Sequence, residues 1–329
     1  MPSDIFNNPT SLREFRGRLL AWYGAHRRDL PWRRTRDPYR IWVSEIMLQQ
    51  TRVAAVLEHY KSFLKRFPRI KDLAAAAEAD VLAIWSGLGY YRRARMLHRA
   101  AKLLMAEHGG CLPRSSTELR QLPGVGRYTA NAVASIAFGE AVAVVDGNVE
   151  RVLSRILGKR FGGDEMWKAA QTLLDPADAG DFNQAMMELG ATVCVGGVPR
   201  CGGCPVRRDC ISRGLKQDTV TIPEKRLHRS ASLLLISRNG KIMLRQRPLT
   251  ATIMAGMWEL PESMRELRRE PLLKVKHSIT TTDWSISVFA SRRTTPKSSE
   301  RWIHRSEVPQ LPLTGLTRKA LRKLKLLAS

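Results

Sequence analysis

The sequence has no long apolar run, few cysteines and few acidic residues. No stretch approaches the 18 consecutive apolar residues of a membrane-spanning helix, so we expect no such helix. Residues 1–15 hold one Asp, two Asn and two Pro around no apolar core, so we expect no secretory signal. Five cysteines among 329 residues cannot form a disulfide framework, and four of them fall within seventeen positions. These absences favour a cytoplasmic, reducing location, where clustered cysteines usually bind metal.

The shortage of acidic residues gives the chain a large positive charge. Lys and Arg number 55 against 30 Asp and Glu, for a formal net charge of +25. Residues 1–220 hold 33 basic and 22 acidic side chains, and residues 221–329 hold 22 and 8, so the excess is not confined to one tail. Such a charge disfavours a compact chain unless a polyanion binds it. Nucleic acid is the first partner expected, and an anionic membrane surface the second.

The hydrophobic pattern changes character near residue 210. Before that point apolar residues recur at helical spacing, and after it β-strand signals begin. We predict helices over residues 40–67, 72–83, 91–108, 117–122, 128–138, 149–157, 165–174, 182–193 and 316–327. The predicted organisation is a mainly α domain, a polar linker and a smaller α+β domain, over residues 1–212, 213–230 and 231–329.

Two features mark the strands of the second domain. The Asn239-Gly240 pair lies between two apolar runs, which predicts a β-hairpin of strands 231–236 and 241–245. Residues 284–290 are a further predicted strand. In the first domain only the apolar run 141–145 has the character of a strand.

Four cysteines form one compact constellation with the spacing C-x6-C-x2-C-x5-C. They are Cys194, Cys201, Cys204 and Cys210. Four thiolates from one short loop can enclose a soft metal centre. A single zinc ion is the competing interpretation, although zinc sites more often pair two knuckles across a longer gap. The loop is also basic, which suits an anionic centre, through Arg200, Arg207, Arg208 and Arg213.

A glycine-containing turn precedes the predicted helix at 128–138. The stretch 122–130, LPGVGRYTA, places Gly124 and Gly126 where positive φ or a close backbone approach is available. Exposed N–H groups at the start of the following helix would attract a phosphate. An ordinary turn between two helices is the alternative. The surrounding residues resemble a helix-hairpin-helix, which grips one DNA strand without reading bases.

Two carboxylates stand in positions that could carry chemistry. Asp146 follows an apolar run and precedes a helix, so it is either an N-cap or a functional anion. Glu45 lies among apolar residues of a helix, so its side chain either reaches solvent or is buried. Burial would raise the pKa of Glu45 and suit it to general-acid catalysis.

Six segments, in this order, resemble the adenine DNA glycosylases of the MutY family, within the endonuclease III and helix-hairpin-helix superfamily. They are WVSEIMLQQT (42–51), GLGYY (87–91), LPGVG (122–126), DGNV (146–149), FNQAMMELG (182–190) and the cysteine loop. The resemblance spans residues 15–212, and a weaker one to Nudix domains covers the C-terminal part. It implies a monofunctional glycosylase that hydrolyses the N-glycosidic bond of adenine opposite 8-oxoguanine or guanine in double-stranded DNA. It also implies one [4Fe-4S] cluster on the four cysteines, and we expect a monomer.

The resemblance implies roles for individual residues. Glu45 would be the acid and Asp146 the anion that stabilises the cationic sugar, with Tyr128 and Asn148 bonded within the site. The implied DNA contacts are Gln50, Tyr90, Gly124, Gly126, Arg127 and Gln184. Gln50 and Tyr90 match residues that wedge into the duplex when the target base leaves the stack.

Two rival functions remain from the sequence. An endonuclease III-like glycosylase/lyase would carry a Lys where this chain has Tyr128, and Tyr cannot form a Schiff base. An iron–sulfur redox regulator that binds DNA without chemistry would explain the charge and the cysteines. It would not require Glu45 and Asp146 together.

The C-terminal domain resembles a Nudix fold without its metal box, which favours a DNA clamp over pyrophosphate hydrolysis. The family commonly contacts 8-oxoguanine through a Phe-Ser-His turn. By alignment, Ile279 and Thr280 take the places of Phe and Ser, and Thr281 replaces His. Alternatively, His277 makes the contact to 8-oxoguanine that the family's His makes. We therefore expect a reduced preference for 8-oxoguanine over guanine, by roughly one hydrogen bond.

Overall fold

The computed structural model describes residues 8–159, 162–213, 227–265, 267–279 and 281–327. The chain divides into two compact units, and each unit is built from segments that are separated in the sequence. The first unit comprises residues 1–60, 69–74 and 99–220. The second comprises residues 61–68, 75–98 and 221–329. The predicted domain boundaries at residues 212 and 230 stay a prediction, and residues 214–226 of the predicted linker lie outside the described residues.

The N-terminal part of the chain is helical, as predicted. Its helices are α1 (Pro9–His26), α2 (Pro38–Leu48), α3 (Val53–Arg66), α4 (Ile70–Ala75), α5 (Glu78–Trp85), α6 (Arg92–Glu107), α7 (Ser116–Leu119), α8 (Arg127–Phe138), α9 (Gly147–Ile156), α10 (Gly163–Leu173) and α11 (Ala179–Thr192). Local chemistry fixes several ends. Asn8 and Asp37 cap α1 and α2, each followed by a Pro in the first turn, and Gly139 ends α8 with a φ of 75°.

Two of the predicted helices are wrong in their continuity. The stretch 40–67 breaks between α2 and α3, where Gln50 has a φ of 54°. The stretch 72–83 breaks between α4 and α5, and α5 begins with the acidic first turn that a helix N-terminus favours. Apolar spacing continues across both breaks, so periodicity alone did not reveal them.

The core of the first unit forms where α1, α9, α10 and α11 pack together. Gly180 and Gly190 permit close contacts of α11. A Cβ on Gly180 would lie 2.7 Å from the carbonyl oxygen of Ser135, and a Cβ on Gly190 would lie 2.6 Å from Cβ of Asn148. The buried apolar residues include Phe15, Leu19, Tyr23, Val149, Val152, Leu153, Ile156, Leu173, Phe182, Ala185 and Leu189.

The C-terminal part of the second unit contains the predicted α+β structure. Its strands are β1 (Leu227–Leu235), β2 (Ser237–Arg238), β3 (Lys241–Gln246), β4 (Trp258–Glu259), β5 (Glu262–Ser263), β6 (Leu273–Ile279), β7 (Thr282–Ala290) and β8 (Glu300–His304). One sheet has the order β5-β1-β7-β6, with β1 and β7 parallel. The other joins β2, β3 and β4, and β8 pairs with β3. Helix α12 (Gly315–Lys323) contributes Ala320 and Leu321 to the core between them.

The predicted hairpin is correct at its turn and wrong in its first strand. Asn239 and Gly240 have φ values of 48° and 73°, as the turn requires. The strand facing β3 across this turn is the two-residue β2. The apolar run that we assigned to it belongs instead to β1, which pairs with β5 and β7 in the other sheet. Strand β1 also takes in residues 227–230 at the end of the predicted linker.

Among the described residues, no helix combines the length and the apolar character that crossing a membrane demands.

Candidate active site

Glu45 is a buried carboxyl group on α2. Its side chain lies among apolar neighbours and the residue is only 5% exposed, so the solvent-reaching alternative is wrong. Burial raises the pKa of Glu45 to about 7, and the negative charge of Asp146 adds to the rise. The hydrogen bond from Tyr128 and the charge of Arg33 act in the opposite direction. A carboxyl group with this pKa holds a proton at neutral pH and can release it.

Tyr128 stands beside Glu45 in the first turn of α8. Its hydroxyl donates to Oε2 of Glu45 over 2.8 Å and lies 3.4 Å from Sδ of Met187. Burial and the charges of Glu45 and Asp146 raise the pKa of Tyr128, so the phenol stays protonated and remains a donor. The bond fixes the orientation of the Glu45 carboxyl group.

Asp146 is the N-cap of α9, and its charge acts on both Glu45 and Tyr128. Its Oδ1 accepts from the backbone N–H groups of Asn148 and Val149 at 3.0 and 2.8 Å. Its Oδ2 accepts from the side-chain amide of Asn148 at 2.8 Å. The N-cap interpretation is therefore confirmed. The three hydrogen bonds hold the carboxylate in one orientation.

The segment that leads to Asp146 is extended but is not a strand. The hydrogen bonds of its backbone N–H and C=O groups are made by side chains rather than by a neighbouring strand. Asn131 donates to the carbonyl of Ala143 at 2.7 Å, and Asn183 accepts from the N–H of Val144 at 3.0 Å. Gln171 accepts from the N–H of Ala143 at 2.8 Å. These three amides were not predicted from the sequence. Asn131 and Asn183 are buried polar residues within helices, whereas Gln171 is exposed.

Asn148 is held in turn by Arg151, one turn further along α9. Nη2 of Arg151 donates to Oδ1 of Asn148 at 2.8 Å and to the carbonyl of Gly190 at 2.7 Å. Nε of the same side chain donates to the carbonyl of Cys194 at 2.8 Å. One guanidinium thus connects the partner of Asp146 with the first cysteine of the loop. Arg151 was not predicted from the sequence.

A second buried carboxylate, Glu188, also escaped the sequence analysis. Its side chain is fully buried and accepts from Arg28 at 2.6–3.0 Å and from Arg33 at 2.7 Å. Burial alone would raise the pKa of Glu188, but the hydrogen bonds from both arginines lower it to about 2. Arg33 is therefore fixed by Glu188 while its charge acts on Glu45.

The glycine turn has one glycine with a positive φ rather than two. Gly124 has a φ of 78°, whereas Gly126 has an ordinary φ of −88° and is the N-cap of α8. Among the described residues, none comes within 4 Å of a Cβ placed on Gly126, so the space in front of this helix N-terminus is open. Arg127, which follows, pairs with Asp164 at 3.0 Å and lies 4.1 Å from the centre of the Trp167 ring.

The remaining residues assigned to DNA contact differ in exposure. Gln50 is exposed with a φ of 54°, and in the second unit Tyr90 is 48% exposed with a φ of 49°. Such values are rare outside glycine, and they hold both side chains in unusual positions. Gln184 is only 6% exposed, and its amide faces Asp181 on its own helix. The assignment of Gln184 to DNA contact stays a prediction.

The four cysteines line one cavity with apolar neighbours from α9 and α11. Burial raises the pKa of Cys204 and of Cys210 to about 11, and the neighbouring cysteines act in the same direction. Arg155 donates to Sγ of Cys194 at 3.3 Å. In the part of the chain that the structure describes, no three His, Cys, Asp or Glu side chains meet the spacing of a metal-ion site. The donor set, four thiols around one cavity with a buried guanidinium, is chemically suited to an anionic cluster.

The predicted 8-oxoguanine contacts fall at the end of β6. Ile279 is the last residue of that strand and pairs in register with Thr282. Thr280 lies outside the described residues. His277, the alternative, is two residues earlier on β6, and burial lowers its pKa.

Comparison with known proteins decides the family. Residues 43–173 match the HhH-GPD superfamily of base excision DNA repair proteins, and residues 231–323 match the NUDIX domain. A solved thermostable thymine-DNA glycosylase is 31% identical with a TM-score of 0.58, and the match covers 61% of this chain and 96% of that one. This chain belongs to the HhH-GPD superfamily. Both the helical fold with a helix-hairpin-helix and the Nudix-like C-terminal domain are thereby confirmed.

Two curated relatives of this HhH-GPD chain are adenine DNA glycosylases, so the predicted resemblance is confirmed. The protein of Homo sapiens is 49% identical over 226 residues, which cover 64% of this chain and 41% of the relative. The protein of Arabidopsis thaliana is 38% identical over 308 residues, which cover 78% and 48%. This chain spans about half the length of these relatives.

Proposed function

We propose that this chain excises adenine from double-stranded DNA where it is mispaired with 8-oxoguanine or guanine. The observation that carries the proposal is the pairing of two unlike carboxyl groups. Glu45 is buried with a pKa raised to about 7, and Asp146 is held by three hydrogen bonds at a helix N-terminus. The names of the two curated relatives support adenine as the base removed.

Glu45 supplies the proton. Protonation at N7 makes adenine a better leaving group, and a carboxyl group half-protonated near neutral pH is an efficient donor. Tyr128 keeps that group aimed, since its hydroxyl donates to one carboxyl oxygen and leaves the other for the base.

Asp146 stabilises the positive charge that develops on the sugar as the N-glycosidic bond breaks. Asn148 and the start of α9 orient its carboxylate before the reaction, so little reorganisation is needed. Water completes the hydrolysis and leaves an abasic site. Since Tyr128 has no amine, it cannot form the Schiff base that a lyase would use for strand cleavage, and we infer a monofunctional enzyme.

The four cysteines would hold one [4Fe-4S] cluster, which supplies an anionic, redox-active centre when bound. Arg155 would lie against it, and Arg151 would tie its loop to Asn148. Iron and sulfide analysis of anaerobically purified protein tests this. Four iron atoms per chain are expected, whereas stoichiometric zinc without iron would contradict the assignment.

A glycosylase assay separates the proposal from its two rivals. The protein is incubated with a duplex that contains one A·8-oxoguanine pair, and half of each sample then receives alkali. Strand breaks that need alkali are expected. Breaks without alkali would favour a glycosylase/lyase, and tight binding without adenine release would favour a non-enzymatic regulator. Glu45→Gln is the matched control, because it keeps the size and polarity of the side chain.

A further inference from the structure

The loop between α5 and α6, residues 86–91, presents one exposed aromatic side chain from a strained backbone. Gly87, Gly89 and Tyr90 have φ values of 114°, 74° and 49°. Tyr90 is 48% exposed, and the guanidinium of Arg93 lies 5.3 Å from the centre of its ring. A left-handed backbone at a tyrosine persists only where neighbouring groups hold it. The contacts that hold this loop are therefore of functional interest.

One set of contacts is local. Nε1 of Trp85 donates to the carbonyl of Gly89 at 3.1 Å, and Nη2 of Arg93 donates to the same oxygen at 3.3 Å. Both donors flank the loop in sequence. They fix its tip but not its direction relative to the rest of the second unit.

The other set comes from the C-terminal helix α12 and from Leu313, which lies two residues before it. Oγ of Ser86 donates to the carbonyl of Leu313 at 2.6 Å and accepts from Nε of Arg318 at 2.9 Å. The hydroxyl of Tyr91 lies 3.5 Å from the same carbonyl of Leu313. Ser86 is only 5% exposed, so both of its bonds are made away from water. In the described structure, Nη2 of Arg318 is buried without a hydrogen-bond partner, so the bond to Ser86 compensates little of the cost of its burial.

The same helix also contacts strand β6. Nζ of Lys319 donates to the carbonyl of Lys276 at 2.9 Å. A Cβ on Gly315 would lie 3.9 Å from both the imidazole of His277 and the hydroxyl of Tyr91. One helix, α12, thus touches the loop that carries Tyr90 and the strand that ends at Ile279.

We propose that Arg318 is a positioning residue, which, through Ser86, holds the Tyr90 loop against α12 and so fixes the direction in which Tyr90 points. This inference rests on the proposed function and on the expectation from the family resemblance that Tyr90 enters the duplex. The C-terminal domain would then also hold Tyr90 in position, although Tyr90 lies some 220 residues earlier in the chain. Burial of a guanidinium beside one serine hydroxyl is otherwise costly.

Hydrogen exchange tests the positioning without reference to catalysis. Arg318→Met keeps the length of the side chain and removes the donor. Amides of residues 87–91 should exchange about fivefold faster, which is the factor for a net hydrogen bond of about 1 kcal/mol. Lys323→Met removes the same charge from an exposed position of α12 and should leave these amides unchanged. Ser86→Ala removes the contact from the other side and serves if Arg318→Met does not fold. Unchanged exchange in both variants would overturn the proposal.

A double-mutant cycle tests the link to the reaction. Single-turnover adenine release should fall about fivefold in Arg318→Met, and no further when Arg318→Met is added to Tyr90→Ala. Two losses that simply multiply would show that Arg318 does not act through Tyr90. If the wild-type chain releases no adenine, the proposed function fails while the exchange experiment still decides the positioning.

Discussion

At the scale of single residues, the site depends on giving two carboxyl groups different environments. Glu45 is buried, and burial raises its pKa to about 7, so the group is about half-protonated at neutral pH. Asp146 accepts three hydrogen bonds at a helix N-terminus, which hold its carboxylate in one orientation. Neither property belongs to the residue type. Both follow from what the fold places beside each carboxyl group.

The rate of adenine release should follow the titration of Glu45. Because the acid form is the active one and its pKa is about 7, the single-turnover rate should fall as pH rises through 7. Glu45→Gln should lose at least about 10²-fold in rate and show no inflection near pH 7. A wild-type profile that is flat from pH 6 to 8.5 would argue against Glu45 as the acid.

The same residue should make the protein less stable in alkali. The folded-state pKa of Glu45 is raised above the ordinary 4.5, so the carboxylate form is disfavoured in the native protein. The stabilisation that protonated Glu45 gives to the folded state is fully present below pH 4.5. It is lost as the pH rises through 7, where Glu45 ionises in the folded protein. Glu45→Gln should therefore raise the Tm relative to wild type at pH 8 more than at pH 5, which thermal denaturation at both pH values measures.

Asp146→Asn separates the two roles of this residue. Asn is as good an N-cap as Asp, so the Tm should change little. The anion that faces the sugar is lost, so adenine release should fall by about 10²-fold or more while DNA binding persists. A large drop in Tm with a matching loss of binding would show that the residue acts only in folding.

At the scale of elements, the packing of α11 on α9 positions the site. The close approach at Gly190 brings α11 against Asn148, which in turn bonds Asp146. Arg151 closes the same contact by bonding Asn148 and the carbonyl of Gly190. A change in the packing of these two helices would therefore displace the carboxylate of Asp146.

Gly190→Ala should disturb both stability and catalysis. The added Cβ would lie 2.6 Å from Cβ of Asn148, so the helices must separate, at a cost of about 1–3 kcal/mol. Adenine release should fall because Asn148 moves. Gly17→Ala is the control, since no described residue lies within 4 Å of its Cβ, and it should be neutral or stabilising. Chemical denaturation and single-turnover assays measure both effects, and equal behaviour of the two variants would contradict the packing argument.

At the scale of the whole molecule, a net charge of +25 points to an interaction dominated by phosphate contacts. Affinity for an A·8-oxoguanine duplex, measured with Glu45→Gln to prevent turnover, should fall at least tenfold between roughly 50 and 200 mM salt. A random-sequence duplex should show a similar slope, because the charge carries no sequence information. An affinity that is independent of salt would mean that the basic surface does not meet DNA.

The sequence by itself determined the family, the helical and α+β halves, and the residue types of the candidate site. Ordered motifs and local signals carry this information, because a Gly turn, an N-cap and a cysteine spacing each act over a few neighbouring residues. The breaks near residues 50 and 76 and the two-residue β2 were not predictable, since periodicity continues through them.

Only the tertiary structure decided which groups are buried together. The raised pKa of Glu45, the buried Glu188 between two arginines and the amides that hold the segment before Asp146 depend on residues distant in sequence. The same is true of Arg151, which reaches Cys194, and of Arg318, which reaches Ser86. Burial and charge depend on every neighbour in three dimensions, and a linear pattern records only the neighbours along the chain.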